Sequence, residues 1–116
     1  MNKKSLTAFM AVITASAVIA IAAYGADKKT ERLWKAKCAA CHGADGKGKT
    51  SMGGRMGIAD MSKAEWQKIS DFQIRNTIEK GVKRSKNGKK QNMTAFTELT
   101  AEQRESLVSF IRGLKK

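Results

Sequence analysis

Both cysteines and the only histidine of this 116-residue chain fall within five positions, Cys38-Ala39-Ala40-Cys41-His42. On a helix, residues three and four apart share a face, so Cys38, Cys41 and His42 point at the same object. The spacing is that of c-type haem attachment. Two thiols form thioethers with the two vinyl groups of a haem while the imidazole coordinates iron. One short turn thus supplies two covalent anchors and one axial ligand, and the rest of the chain must wrap the group they hold.

Other readings of these residues ask for features the chain lacks. A thioredoxin-like Cys-x-x-Cys sits among alternating strands and helices, and no convincing strand signal is present. A structural zinc site needs four Cys or His ligands, whereas three such residues exist. A plain disulfide would leave His42 as a coincidental neighbour.

The amino terminus bears on the compartment. Asn2, Lys3 and Lys4 precede an almost entirely apolar run from Leu6 to Ala23, and Ala23-Tyr24-Gly25 offers small residues where cleavage usually falls. Residues 1–25 therefore read as a secretory signal peptide, and residues 26–116 as one domain in the periplasm or another exported compartment. The run is longer than an ordinary signal core, so an uncleaved membrane anchor facing that compartment is the alternative. The 91 residues left after removal of 1–25 make a small core, which usually needs a staple. Haem is that staple, and the haem-free chain is expected to fold poorly.

Periodicity gives an all-α fold of three to four helices around one haem. A first helix is expected from about Asp27 to Cys41, with Trp34 on the side of the anchors. Six glycines between Gly43 and Gly57 predict a loop rather than a periodic element. A backbone carbonyl from this loop is expected to accept the other ring N–H of His42. Ser62 with Glu65 reads as a capping box opening a short helix at Trp66 and Ile69. Asp71 reads as the cap of a third helix that carries Phe72, Ile74 and Ile78 and stops at Gly81. Thr100 with Gln103 opens the last helix, whose apolar face holds Leu107, Val108, Phe110, Ile111 and Leu114. Asp45 and Asp60, like Asp71, fit loop and capping roles.

With His42 spent, the second axial ligand cannot be a histidine of the same chain. A methionine thioether is a soft donor suited to haem iron, and Met52, Met56, Met61 and Met93 are the methionines beyond residue 25. Met52 and Met56 follow His42 so closely that the chain would have to round the haem edge within the glycine-rich stretch. Met93 has some fifty residues for that journey and stands in a polar loop just before the last helix, where core packing asks for no methionine. Met61 reads as a packing residue. Met93 is favoured, with another ligand or an open site as the alternatives.

CAACHGADGKG, then Asn92-Met93-Thr94-Ala95-Phe96 and LTAEQRESLVSFIRGL, resembles a small monohaem class I cytochrome c of the bacterial, periplasmic type. The resemblance spans essentially all of the chain after residue 25. It implies covalent haem c on Cys38 and Cys41, axial ligation by His42 and Met93, and crossing of the first and last helices, with Trp34 meeting Leu107 and Phe110. Such proteins commonly place proline after the axial methionine and in the loop after the haem motif, yet this chain has none. Thr94 follows Met93 instead, so a less preorganised methionine loop and a weaker iron–sulfur bond, displaced at alkaline pH, are expected.

The formal charge is +13, and removing Lys3 and Lys4 from the 23 basic residues leaves 21 against 10 acidic, or +11. Lys35, Lys37, Lys47, Lys49 and Arg55 flank the haem motif, while Lys83, Arg84, Lys86, Lys89 and Lys90 precede Met93. A basic ring around a haem edge would steer acidic redox proteins, donor and acceptor, with rates that fall as salt rises. The alternative is a surface of merely dispersed lysines. Nucleic acid is not the expected partner, because the chain reads as exported and has no interleaved aromatic platform. Weak attraction to anionic membrane is expected, and a monomer is the default.

No nucleophile–base pair, phosphate loop or paired carboxylates appear in the sequence. Together with two filled axial positions this predicts a single-electron carrier rather than an enzyme. A membrane-anchored cytochrome subunit of a respiratory complex, and a five-coordinate haem sensor or enzyme, are the alternatives.

Overall fold

The computed structural model describes residues 28–115. The signal-peptide reading of residues 1–25 and its cleavage position lie outside the described residues. Among the described residues, no helix is long and apolar enough to cross a membrane.

Helix α1 covers residues 28–37 and breaks at Cys38, after which Ala39–His42 forms the single turn α2. The sequence led us to expect one unbroken helix to Cys41. Cys38 instead adopts φ −120°, ψ −37°, although the i→i−4 bonds Cys38 N–H to Trp34 C=O (2.8 Å) and His42 N–H to Cys38 C=O (2.9 Å) keep the two pieces in line.

Ser51–Met56 forms helix α3, where the glycines predict only a loop. Thr50 explains the difference. It is the N-cap, and its hydroxyl accepts from Gly53 N–H at 2.8 Å. The expected capping box at Ser62 and Glu65 does not form. Ser62 instead gives both its N–H (2.9 Å) and its hydroxyl (2.6 Å) to Asp60, and Trp66–Lys68 is a 3₁₀ turn with no side-chain cap.

Helix α4 (Asp71–Lys80) is capped by Ser70, one residue before the expected Asp71, in a reciprocal box with Gln73. Its buried residues Ile74 and Ile78 are one turn apart, and Gly81 ends it as predicted. Helix α5 (Ala101–Arg112) opens on the predicted Thr100–Gln103 box and buries Leu107, Val108 and Ile111. Asp71 serves another purpose, accepting from Arg112 Nε at 2.8 Å. Arg112 Nη1 meanwhile donates to Gln67 C=O at 2.8 Å, which locks the end of α5 to the segment before α4.

The main departure from the all-helical expectation lies between α4 and α5. Val82–Lys86 (β1) and Lys89–Met93 (β2) form an antiparallel hairpin, with Val82 opposite Met93 and Arg84 opposite Gln91. Its turn residues, Asn87 and Gly88, have φ +50° and +75°. Positive φ at both positions is what a two-residue turn matched to strand twist requires. The fold is otherwise the predicted mostly helical globule. Its core unites Trp34, Met61, Ile74, Ile78, Leu99, Leu107, Val108 and Ile111, and Met61 is the packing residue it was expected to be.

Candidate haem-binding site

Helices α1 and α2 give one wall of a cavity of about 480 Å³, to which they contribute Trp34, Lys37, Cys38, Cys41 and His42. Met56 at the end of α3 is followed by Gly57 to Ala59 and Met61. Ile74, Thr77 and Ile78 come from α4, and Leu107 and Ile111 from α5. The hairpin closes the ring with Val82, Arg84 and Lys86 from β1 and Gln91, Asn92 and Met93 from β2. Alternate β1 residues therefore face the cavity, as the period of a strand dictates. The volume is that of a cofactor pocket, and the lining is mostly apolar.

The expected meeting of the first and last helices is seen at Trp34. Trp34 is 2% exposed and packs with Leu107 in the core, and its ring lies 5.0 Å from that of Phe110 and 5.8 Å from that of His42. Its indole N–H donates to Gly43 C=O at 3.0 Å, which fixes the turn just after His42. On the other side of that turn, Gly48 N–H donates to His42 C=O at 2.7 Å and the Thr50 hydroxyl donates to Cys41 C=O at 2.7 Å. The backbone of the anchoring turn is thus gripped at three carbonyls before any cofactor is considered.

The side chains are left in states suited to haem. Both cysteines are free thiols. Burial pushes the Cys38 thiol up to about 11, which keeps it protonated at neutral pH. Burial lowers the His42 pKa, which keeps the imidazole neutral with a lone pair to offer. Its Nδ1 is buried with no hydrogen-bond partner, so the loop carbonyl expected to support it does not do so. Two free thiols and a neutral imidazole lining one apolar cavity are a donor set that fits a group bringing its own metal.

Of the methionines considered, Met52 does not line the cavity, whereas Met56, Met61 and Met93 do. Met93 ends β2 rather than standing in the polar loop expected for it. Gln91, a cavity residue that belongs to no motif, donates to Met56 C=O at 3.0 Å and Gly57 C=O at 3.1 Å, tying the hairpin to α3. Asn87-Gly88 was the available signal for this part of the site, since such a dipeptide marks a hairpin turn.

Comparison with known proteins bears on these features together. A family model described as Cytochrome c matches residues 28–115. A solved structure, the KustC0563 c-type cytochrome, is 36% identical with a TM-score of 0.63, covering 75% of this chain and 98% of that one. A single-residue variant of Kustc0563 is 35% identical with a TM-score of 0.60, covering 74% and 98%. No match was found among curated proteins. The family's members are typically electron carriers rather than enzymes, and a c-type cytochrome implies covalent haem c, which the thiols and imidazole of this cavity accommodate. With the match running through the haem motif, the hairpin and the last helix, the chain belongs to the cytochrome c family.

Proposed function

We propose that this chain carries single electrons between protein partners in an exported compartment, through one haem c held by Cys38 and Cys41 and ligated by His42 and Met93. The observation that carries this reading is that one apolar cavity is lined by all four of these side chains, although Met93 is more than fifty residues from His42. Bound haem would supply an iron that alternates between ferrous and ferric states, and methionine ligation favours a raised potential.

The chain's own residues do the rest. Cys38 and Cys41 fix the group's position, His42 offers a neutral nitrogen, and Leu107, Ile111, Ile74 and Ile78 exclude water. Met56 competes with Met93 as ligand because it lines the same cavity. It ends α3, which is joined to the anchoring turn through the Thr50 hydroxyl and to the hairpin through Gln91. Met93 is preferred to Met56 because the resemblance to the family runs through Asn92-Met93-Thr94-Ala95-Phe96, where it implies the axial methionine.

Partners of acidic character fit the outer side of the hairpin, where Lys83, Lys89 and Lys90 are exposed and carry one sign. The deciding experiment is the absorption spectrum of the haem-loaded protein, oxidised and reduced. A far-red charge-transfer band lost in Met93→Ala and kept in Met56→Ala is the expected result. Ready uptake of carbon monoxide by the reduced wild-type protein, with no far-red band when oxidised, would replace the carrier with a five-coordinate sensor or enzyme.

A further inference from the structure

The charged residues lining the cavity are Lys37, Arg84 and Lys86, and no Asp or Glu joins them. Lys37 stands next to Cys38, and its charge is answered by Glu98 at 3.2 Å. Arg84 and Lys86 pair with no carboxylate among the described residues. Arg84 is nonetheless held in place. Its Nε donates to Gln91 Oε1 at 2.8 Å across the strand pair, and Gln91 Nε2 is spent on Met56 C=O and Gly57 C=O. This leaves the two terminal guanidinium nitrogens as a positioned fork, the geometry that takes a carboxylate through two parallel bonds.

A cavity whose unanswered charges are all positive calls for an anionic guest. Haem carries two carboxylates on the edge opposite its two vinyl carbons. Cys38 and Cys41 define the vinyl edge, and the cation beside them is already paired. The hairpin cations are the ones left for the far edge.

We infer that the terminal nitrogens of Arg84, with Lys86 on the same strand face, receive a haem carboxylate, and that Gln91 is the positioning residue that aims Arg84. The inference rests on the haem c reading above. Lys83 shares the strand and the charge but does not line the cavity, which makes it the matched control. Removing a cation that faces the haem favours the ferric state and so lowers the reduction potential. For a partly solvated pair the change in the reduction equilibrium is about three- to tenfold.

The test uses haem-loaded wild type, Arg84→Gln, Arg84→Lys, Gln91→Leu and Lys83→Gln. Covalent haem is verified by haem stain on a denaturing gel, midpoint potentials come from spectroelectrochemistry, and the carboxylate bands from redox-difference infrared spectra. The expected result is a lower potential and a shifted carboxylate band in Arg84→Gln, with Arg84→Lys restoring most of the potential, because the charge is kept, but not the band, because the fork is lost. A smaller fall is expected in Gln91→Leu, where no charge is lost, and little change in Lys83→Gln. Equal potentials in Arg84→Gln and Lys83→Gln with an unmoved carboxylate band would overturn the inference and leave the haem reading intact. A wild-type chain with no covalent haem on the gel would overturn both.

Discussion

Thr50→Val is the perturbation that best isolates what holds the anchoring turn. In the structure the Thr50 hydroxyl has two roles, donating to Cys41 C=O at 2.7 Å and accepting from Gly53 N–H at 2.8 Å as the N-cap of α3. Valine keeps the branched shape and removes both bonds. Loss of a threonine cap costs about 1 kcal/mol. Leaving the half-buried Cys41 carbonyl without its donor costs about 1 kcal/mol more. The total of about 2 kcal/mol corresponds to a fall in Tm of roughly 10 °C for a domain of this size. Thermal unfolding of the haem-loaded protein by circular dichroism measures it, with Thr50→Ser as the control that retains both bonds. The reasoning fails if valine lies within about 0.5 kcal/mol of wild type, or if serine is as damaging as valine.

Two further outcomes follow from the same geometry. The Asp60 carboxyl is held below the usual aspartate range by the Ser62 hydroxyl first, then by the Ser62 N–H and the charges of Lys47 and Lys63. Because the folded value lies below the unfolded one, the stabilisation is present above about pH 4 and is lost as pH falls through the folded value. Asp60→Asn should therefore be less stable at neutral pH, with a shallower acid loss in denaturant titrations. At the hairpin turn, Gly88 has φ +75° and open space around it, so Gly88→Ala costs about 1 kcal/mol through the backbone alone. If Met93 is held by the hairpin, alkaline loss of the far-red band should move down by about 0.7 pH unit, and an unmoved midpoint would separate the ligand from the hairpin.

What the sequence made legible was chemistry carried by near neighbours. Cys38, Cys41 and His42 could be read as one site because three- and four-residue spacing survives even the break at Cys38. The Thr100–Gln103 box and the buried face of α5 were legible for the same reason, each signal lying within a single helix. Readings failed where a side chain had a choice of partners. Ser62 could cap a helix or turn toward Asp60, and nothing in the local pattern says that Asp60 wins. The glycines of 43–57 hid α3, since its stability comes from Thr50 rather than from helix propensity. The hairpin escaped because its strands are charged and show no alternation of apolar residues, although Asn87-Gly88 announces the turn.

The absence of proline takes on a different meaning once the hairpin is in place. From sequence, Thr94 after Met93 implied a loosely held methionine. In the structure Met93 pairs with Val82 at the end of the ladder, and its carbonyl fills the space a Cβ on Gly81 would need. Three residues on, Phe96 N–H donates to Ile78 C=O at 2.9 Å. Proline restrains a backbone covalently and locally. Here the Met93 backbone is restrained by contacts with β1 and α4, and such contacts are lost whenever the hairpin opens. That hairpin also carries Arg84 and Lys86 toward the cavity and Lys83 and Lys90 away from it. The grip on Met93 and the basic surface offered to a partner are therefore properties of one element. On the function proposed above, a partner that binds and orders the hairpin would tighten the hold on Met93, and one that pulls it away would loosen that hold.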